Sequence, residues 1–223
     1  MTTLTPRAGY RLWAPSYEAE TVVTALDESV VASFGIAVDG LRLLDAGCGT
    51  GRRLRRVRPA LAVGADLTPE MLPHSDQGEM PGECYAAADV RALPFSSDTF
   101  DVVWCRLALG HVPDIDRAYG ELARACRPGG HVLTTDFHAA AVAAGHRRTF
   151  RDAAGDVHEI EHHVHTRVAH ERAARGAGLV SAGHADGVVG PSVRAFYERA
   201  GRITAYDAQI GLPLVLGLLF TAR

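Results

Sequence analysis

Short apolar runs alternate with stretches whose apolar positions return every three to four residues along most of this chain. Residues 41–46, 61–66, 100–105 and 131–136 read as buried strands, with a shorter one near 84–87. Between them, 52–58 reads as a helix with a strongly basic outer side, stopped by Pro59, and 115–126 as a helix ended by Arg127-Pro128-Gly129-Gly130. Thr68-Pro69-Glu70 is expected to begin another, with Thr68 as its N-cap and proline at the first helical position. Residues 1–38 look helical and amphipathic, with Tyr10, Trp13 and Tyr17 on one face. Strands alternating with helices imply βαβ units, hence a parallel sheet covered on both faces.

The alternation breaks after Asp136. Residues 137–165 read as irregular, ending in an extended stretch over 157–165. Thr166 caps a helix running to about Arg175, Gly176-Ala177-Gly178 ends it, and Leu179 starts a strand. A helix over 192–205 and a last strand over 213–221 complete the pattern.

Composition narrows the class. The 223 residues are 47% hydrophobic, enough for a sizeable core, and the net charge is −3. Neither nucleic acid nor an anionic membrane is expected as a partner. The cysteines, Cys48, Cys84, Cys105 and Cys126, show no C-x-x-C spacing and read as small buried hydrophobes of a reducing compartment. There is no apolar signal region, and the apolar run over 212–220 is too short to span a bilayer. A cytoplasmic protein, monomeric or homodimeric, is expected.

The most informative stretch is Leu43-Leu44-Asp45-Ala46-Gly47-Cys48-Gly49-Thr50-Gly51, an apolar strand running into a glycine-rich turn. Glycine lets backbone approach a ligand closely. The spacing is G-x-G-x-G, whereas the dinucleotide fingerprint would place a third glycine at Arg52. The phosphate loop ending in Gly-Lys is absent, and the chain contains no lysine. The loop therefore argues for a nucleoside ligand without a pyrophosphate, and against a nicotinamide-dependent dehydrogenase.

Five pieces in order carry a resemblance: LLDAGCGTG at 43–51, VGADLTPEML at 63–72, AADVRALPFSSDTFDVVWC at 87–105, HVPD at 111–114 and RPGG at 127–130. Together they span roughly the middle half of the chain. This order resembles class I S-adenosylmethionine (SAM) dependent methyltransferases, in particular the small-molecule group that includes the ubiquinone- and biotin-pathway enzymes. The tail at 210–223 is similar to that family's last, antiparallel strand.

The resemblance implies a Rossmann-like α/β fold: a seven-stranded, mostly parallel sheet with an antiparallel last strand, helices on both faces and a small helical or irregular cap. It implies a single domain over 1–223, with an N-terminal helical lid (1–38), a SAM-binding core (39–136), a substrate-covering insertion (137–165) and the rest of the sheet (166–223). Gly47, Cys48, Gly49 and Gly51 would meet the methionine part of SAM. Asp45 would attract its positive charges or stabilise the turn. Asp66, followed by Leu67, would accept the ribose hydroxyls; its alternative is an acid favoured by a helix dipole. Asp89 would accept from the adenine amino group, with Val90 on the ring. Arg106 and Leu107 would line the cleft near the sulfonium. Tyr10 and Tyr17 would either close over the cofactor or pack, like Trp13, as an aromatic stripe in the core.

The histidine-rich stretch Val157-His158-Glu159-Ile160-Glu161-His162-His163-Val164-His165 is unlike the rest. On a strand, Glu159, Glu161, His163 and His165 would share one face. That face offers a base with an orienting carboxylate, a metal site, or a polar edge facing water. No metal is assigned. His163, His165, His111 and His138 are the candidate bases, the last two for their positions after strands. The implied reaction is in-line methyl transfer to O, N or C of a small, apolar or aromatic metabolite, helped chiefly by positioning. The alternatives are a SAM-binding enzyme catalysing another reaction, such as cyclisation, and a non-catalytic SAM-binding regulator.

Overall fold

A computed structural model describes residues 2–73 and 83–223. In chain order the elements begin with β1 (Thr2–Leu4), α1 (Pro6–Trp13), α2 (Val22–Ser33), β2 (Arg42–Ala46), β3 (Leu61–Asp66) and β4 (Glu83–Ala87). Next come β5 (Phe100–Arg106), α3 (Ile115–Ala125), β6 (Cys126–Phe137), α4 (Ala139–Ala143), β7 (Thr149–Arg151) and β8 (Val157–Ile160). The chain closes with α5 (Arg167–Gly176), β9 (Val180–Val188), α6 (Arg194–Arg199), α7 (Ile203–Gln209) and β10 (Pro213–Thr221).

Seven strands form one sheet in the order β4-β3-β2-β5-β6-β10-β9. Pairs from β4 to β6 are parallel, and β10 runs antiparallel to both β6 and β9. Alternate residues face opposite layers, as a two-residue period requires. Leu44, Val103 and Val132 pack under α3 through Tyr119 and Leu122. Leu43, Val102 and Leu133 pack on the other face with Val31 and Phe34 of the α2 region. Both faces are buried, so the strands read as continuous apolar runs. The strand order reverses between β3-β2 and β5-β6, and the carboxyl ends of β2 and β5 part there, which leaves a crevice.

A second, three-stranded sheet, β1-β8-β7, joins the start of the chain to the insertion after β6. Thr2 pairs with His158 and Leu4 with Ile160. It holds α1 over the carboxyl edge of the large sheet, with Ile160 packed beneath Gly9.

Several expectations need correction. Residues 52–58 form only a short 3-10 turn at Leu54–Arg56. Arg52 and Arg53 are buried rather than on a basic outer side. Thr68 makes no capping bond and precedes a 3-10 turn, Pro69–Met71. Any continuation of that predicted helix over 74–82 lies outside the described residues, as does Met1 of the predicted lid. The extended stretch stops at Ile160, so 161–165 do not alternate faces. The helix expected over 192–205 is two, α6 and α7, parted at Gly201 with φ +64. Cys84 is exposed, unlike the other cysteines, and all four are free. No helix among the described residues is long and apolar enough to cross a membrane.

Candidate functional site

The glycine turn after β2 folds back on β3. The amides of Gly47 and Cys48 both donate to the Ala65 carbonyl, at 2.7 and 3.0 Å. Gly47 has φ +83, and a Cβ there would lie 2.5 Å from that of Ala108, so the turn requires glycine. Asp66, at the end of β3, clamps the turn. Its carboxylate accepts from the Gly49 amide and from the Thr68 amide, each at 2.8 Å. Burial pushes the Asp66 carboxyl above its ordinary range, and the two amides oppose that rise.

These elements frame a cleft of about 760 Å³ at the carboxyl edge of the sheet. Of the sequence candidates, Gly47, Gly49, Asp66, Leu67, Asp89, Val90, Arg106, Tyr10 and Tyr17 line it, with Leu107 and His111. Asp45, Cys48 and Gly51 do not. Cys48 is buried and its sulfur faces Gly64, while Gly51 lies against the Tyr85 hydroxyl. Asp45 sits below the turn at 0% exposure, and neither carboxylate oxygen has a hydrogen-bond partner among the described residues. Burial lifts its carboxyl to about 6 against the pull of Arg53 and Arg106.

Two charged wall residues are already engaged. Asp89 accepts a charge-assisted bond from the Arg91 guanidinium at 2.6 Å and another from the Arg91 amide at 2.8 Å. The Arg91 bond holds its carboxyl below the usual range. Arg106, only 2% exposed, donates to Asp27 of α2 at 2.6 Å and lies 3.0 Å from Glu28. Its charge is therefore spent on anchoring α2 rather than presented to the cleft. The same Asp27 accepts from Arg53 at 3.3 Å and from the Thr135 hydroxyl at 2.6 Å. Burial opposes ionisation of Asp27, but the two guanidinium groups hold its carboxyl below the ordinary value. Sequence reasoning missed this cluster. Its signal was available: Asp27 lies between Leu26 and Val30 on an otherwise apolar helix face.

The histidines divide sharply. Only His111 among the four candidates lines the cleft. Its Nδ1 is 2.9 Å from the Glu161 carbonyl, so Nδ1 carries the proton and donates. Its Nε2 then accepts from the Tyr10 hydroxyl at 2.9 Å. Burial, aided by the Arg148 charge, pushes His111 down to about 3. Burial likewise raises the Tyr10 phenol. His163 and His165 fall outside the cleft: the His163 amide donates to the Gly110 carbonyl at 2.7 Å, and His165 Nε2 donates to the Val112 carbonyl at 2.9 Å. They tie the insertion to the loop after β5. His138 caps α4, its Nδ1 accepting from the Ala140 amide at 3.0 Å. His162, outside the four candidates, is held neutral by burial and the Arg148 charge, at about 4.

A second chamber of about 870 Å³ adjoins the cleft and shares Tyr10, Tyr17 and Leu107 with it. Trp13, Phe137 and Val23 supply apolar wall, and His146, Arg147 and Arg148 come from the segment before β7. Trp13, expected in the core, is a half-buried wall residue stacked on Tyr10 and Phe150, with ring centroids 5.8 and 5.0 Å away. No sequence signal pointed to Arg148, because the segment that carries it has no period.

Residues 44–134 match a family model described as a methyltransferase domain. A malonyl-(acyl-carrier protein) O-methyltransferase of Erwinia billingiae is 37% identical over 122 residues, 54% of this chain and 48% of that protein. The chain spans about half or less of the length of the first such relatives it matches. A crystal structure of an S-adenosylmethionine dependent methyltransferase from Mesorhizobium loti superposes with TM-score 0.67 at 22% identity, covering 90% of this chain and 100% of that one. The cyclase SpnF superposes with TM-score 0.65 at 18% identity, covering 100% of this chain and 98% of that one. At those identities the superpositions establish the fold. The central segment is thus a methyltransferase domain. The match of this segment to a methyltransferase domain, the O-methyltransferases among its relatives and the methyltransferase fold of the superposed structures agree with one another.

Proposed function

We propose that this protein transfers the methyl group of SAM to a small molecule seated in the chamber beside the cleft. The observation that carries the reading is the shared wall. Tyr10, Tyr17 and Leu107 border both cavities, so a donor in the cleft and an acceptor in the chamber meet at one place. SAM supplies a methyl group on a positively charged sulfur. The residues fit such a ligand: the glycine turn leaves room beside its backbone, and the partnerless Asp45 carboxylate places a buried acid beneath it. Asp66 would hold the ribose hydroxyls with lone pairs not used by Gly49 and Thr68, and Val90 would lie against the adenine. Asp89 would accept from the adenine amino group while keeping its Arg91 partner.

In this reading residues 39–136 bind the cofactor, whereas 1–38 and 137–165 cover it and shape the chamber. His111 acts as a positioning residue. Its two nitrogens fix Tyr10 against the Glu161 backbone, which leaves no lone pair free to take a proton. The acceptor must then be nucleophilic without help from that histidine, and catalysis rests on alignment. The cyclase fold shared with SpnF keeps a non-methylating reaction as the second reading. A non-catalytic SAM-binding regulator is the third.

Calorimetric titration with S-adenosylhomocysteine (SAH), with NADH as control, tests the cofactor. Micromolar binding of SAH alone is the expected result; binding of NADH instead would overturn it. Incubation with SAM and candidate metabolites, read by mass, then separates the readings. One added methyl group per product supports transfer. A product of unchanged mass supports the cyclase-like alternative, and tight binding without turnover the regulator.

A further inference from the structure

On the reading just given, we propose that Arg148 makes the chamber select acceptors that carry an oxyanion, a carboxylate or a phosphate monoester, on an apolar or aromatic body. The described wall of the chamber contains two arginines and no aspartate or glutamate. Arg147 is already paired with Glu159 at 3.1 Å. Arg148 has no carboxylate oxygen within 4.0 Å among the described residues. Its guanidinium is instead fixed by neutral groups. One nitrogen donates to the Leu107 carbonyl at 3.2 Å, another to the Tyr10 hydroxyl at 3.5 Å, and the plane lies 5.8 Å from the centroid of Phe137.

A guanidinium has five N–H donors, so this arrangement leaves several unspent on a group already held in place. A half-buried guanidinium with no carboxylate in ion-pair contact favours an anionic ligand. Oxyanions take guanidinium bonds in pairs, which adds orientation to attraction. The neighbouring His111 and His162 are kept neutral, so they add no competing charge. Trp13, Val23 and Phe137 provide the apolar surface that the body of the acceptor would cover. The sequence expectation of an apolar or aromatic acceptor is thereby narrowed: the body is apolar, the anchor anionic.

The test uses the SAH-loaded protein titrated with phenylacetate, phenyl phosphate and neutral phenylacetamide. At least one anion is expected to bind about tenfold tighter than the amide, a gap typical of a bond to a charged partner. The tighter of the two anions identifies the headgroup. Arg148→Met is expected to erase the preference and Arg148→Lys to keep part of it, with thermal unfolding midpoints confirming that both variants fold. Equal binding of amide and anions, a preference that survives in Arg148→Met, or no anion binding at millimolar concentration overturns the proposal while leaving the cofactor reading intact. Failure of the wild-type protein to bind SAH overturns the cofactor reading, and this inference with it.

Discussion

Asp66 holds the glycine turn, because the Gly49 and Thr68 amides both donate to it. Asp66→Ala is expected to lower SAH affinity more than about tenfold, and stability by about 1–3 kcal/mol for the lost charge-assisted bonds. Titration calorimetry and urea unfolding check the two effects separately, and an unchanged affinity would remove the ribose role. Asp45 is the opposite kind of acid, buried without partners. Its carboxyl is raised from 3.8 to about 6 in the fold. Between those values the folded protein keeps a proton that the unfolded chain has released, so the group costs stability as pH rises through that window. Each tenfold change in proton affinity is worth about 1.4 kcal/mol, so Asp45→Asn is expected to stabilise the protein by up to about 3 kcal/mol at pH 7. The gain should shrink as pH falls toward 4. A gain that does not vary with pH would show that Asp45 is not protonated in the fold.

Helix α2 is attached to the large sheet by more than apolar packing. Asp27 gathers Arg106 from the end of β5, Arg53 from the glycine turn and Thr135 from β6. Removing its charge leaves two guanidinium groups without it in a dry site, and such losses cost about 3–5 kcal/mol. Asp27→Asn is expected to lose that much in urea unfolding. A loss below about 1 kcal/mol would mean that Leu26 and Val30 hold α2 by themselves. The same cluster shows what the sequence could and could not carry. Buried strands announce themselves because both faces are apolar, and β10 occupies the predicted residues 213–221. Asp66 and the residues after β4 were legible because they stand where strands end. Arg52 and Arg53 were not, since spacing alone cannot show an acid 26 residues earlier in the chain that draws Arg53 inward. The extended reading of 161–165 failed for a similar reason. The Glu161 amide takes the last bond to β1, at Leu4, and the chain then turns to give the His163 amide to Gly110. Arg148 was invisible because its segment follows no period and its meaning comes from what folds around it.

At the scale of the whole molecule, the cap and the large sheet meet through neutral histidines. His111 follows β5, donates to Glu161 of the insertion and accepts from Tyr10 of α1, so it joins three parts of the fold. It is depressed from 6.5 to about 3, and His162 from 6.5 to about 4. An unfolded chain would protonate both below about pH 6.5, whereas the folded protein excludes those protons. Stability from these groups is therefore complete above pH 6.5 and is lost as pH falls toward 4, at up to about 1.4 kcal/mol per pH unit for each histidine. Asp45 works in the other direction over pH 4–6 but supplies one proton against two. The net expectation is a fold that weakens in mild acid, before its paired carboxylates titrate. Urea unfolding of the wild-type protein at pH 7, 6 and 5 should show the decline. In His111→Gln the slope should fall by the contribution of one proton, about 1.4 kcal/mol per pH unit, even though the variant starts less stable at pH 7. A slope identical to wild type would mean that His111 is not held neutral, and that the link between α1 and the insertion does not depend on its uncharged ring.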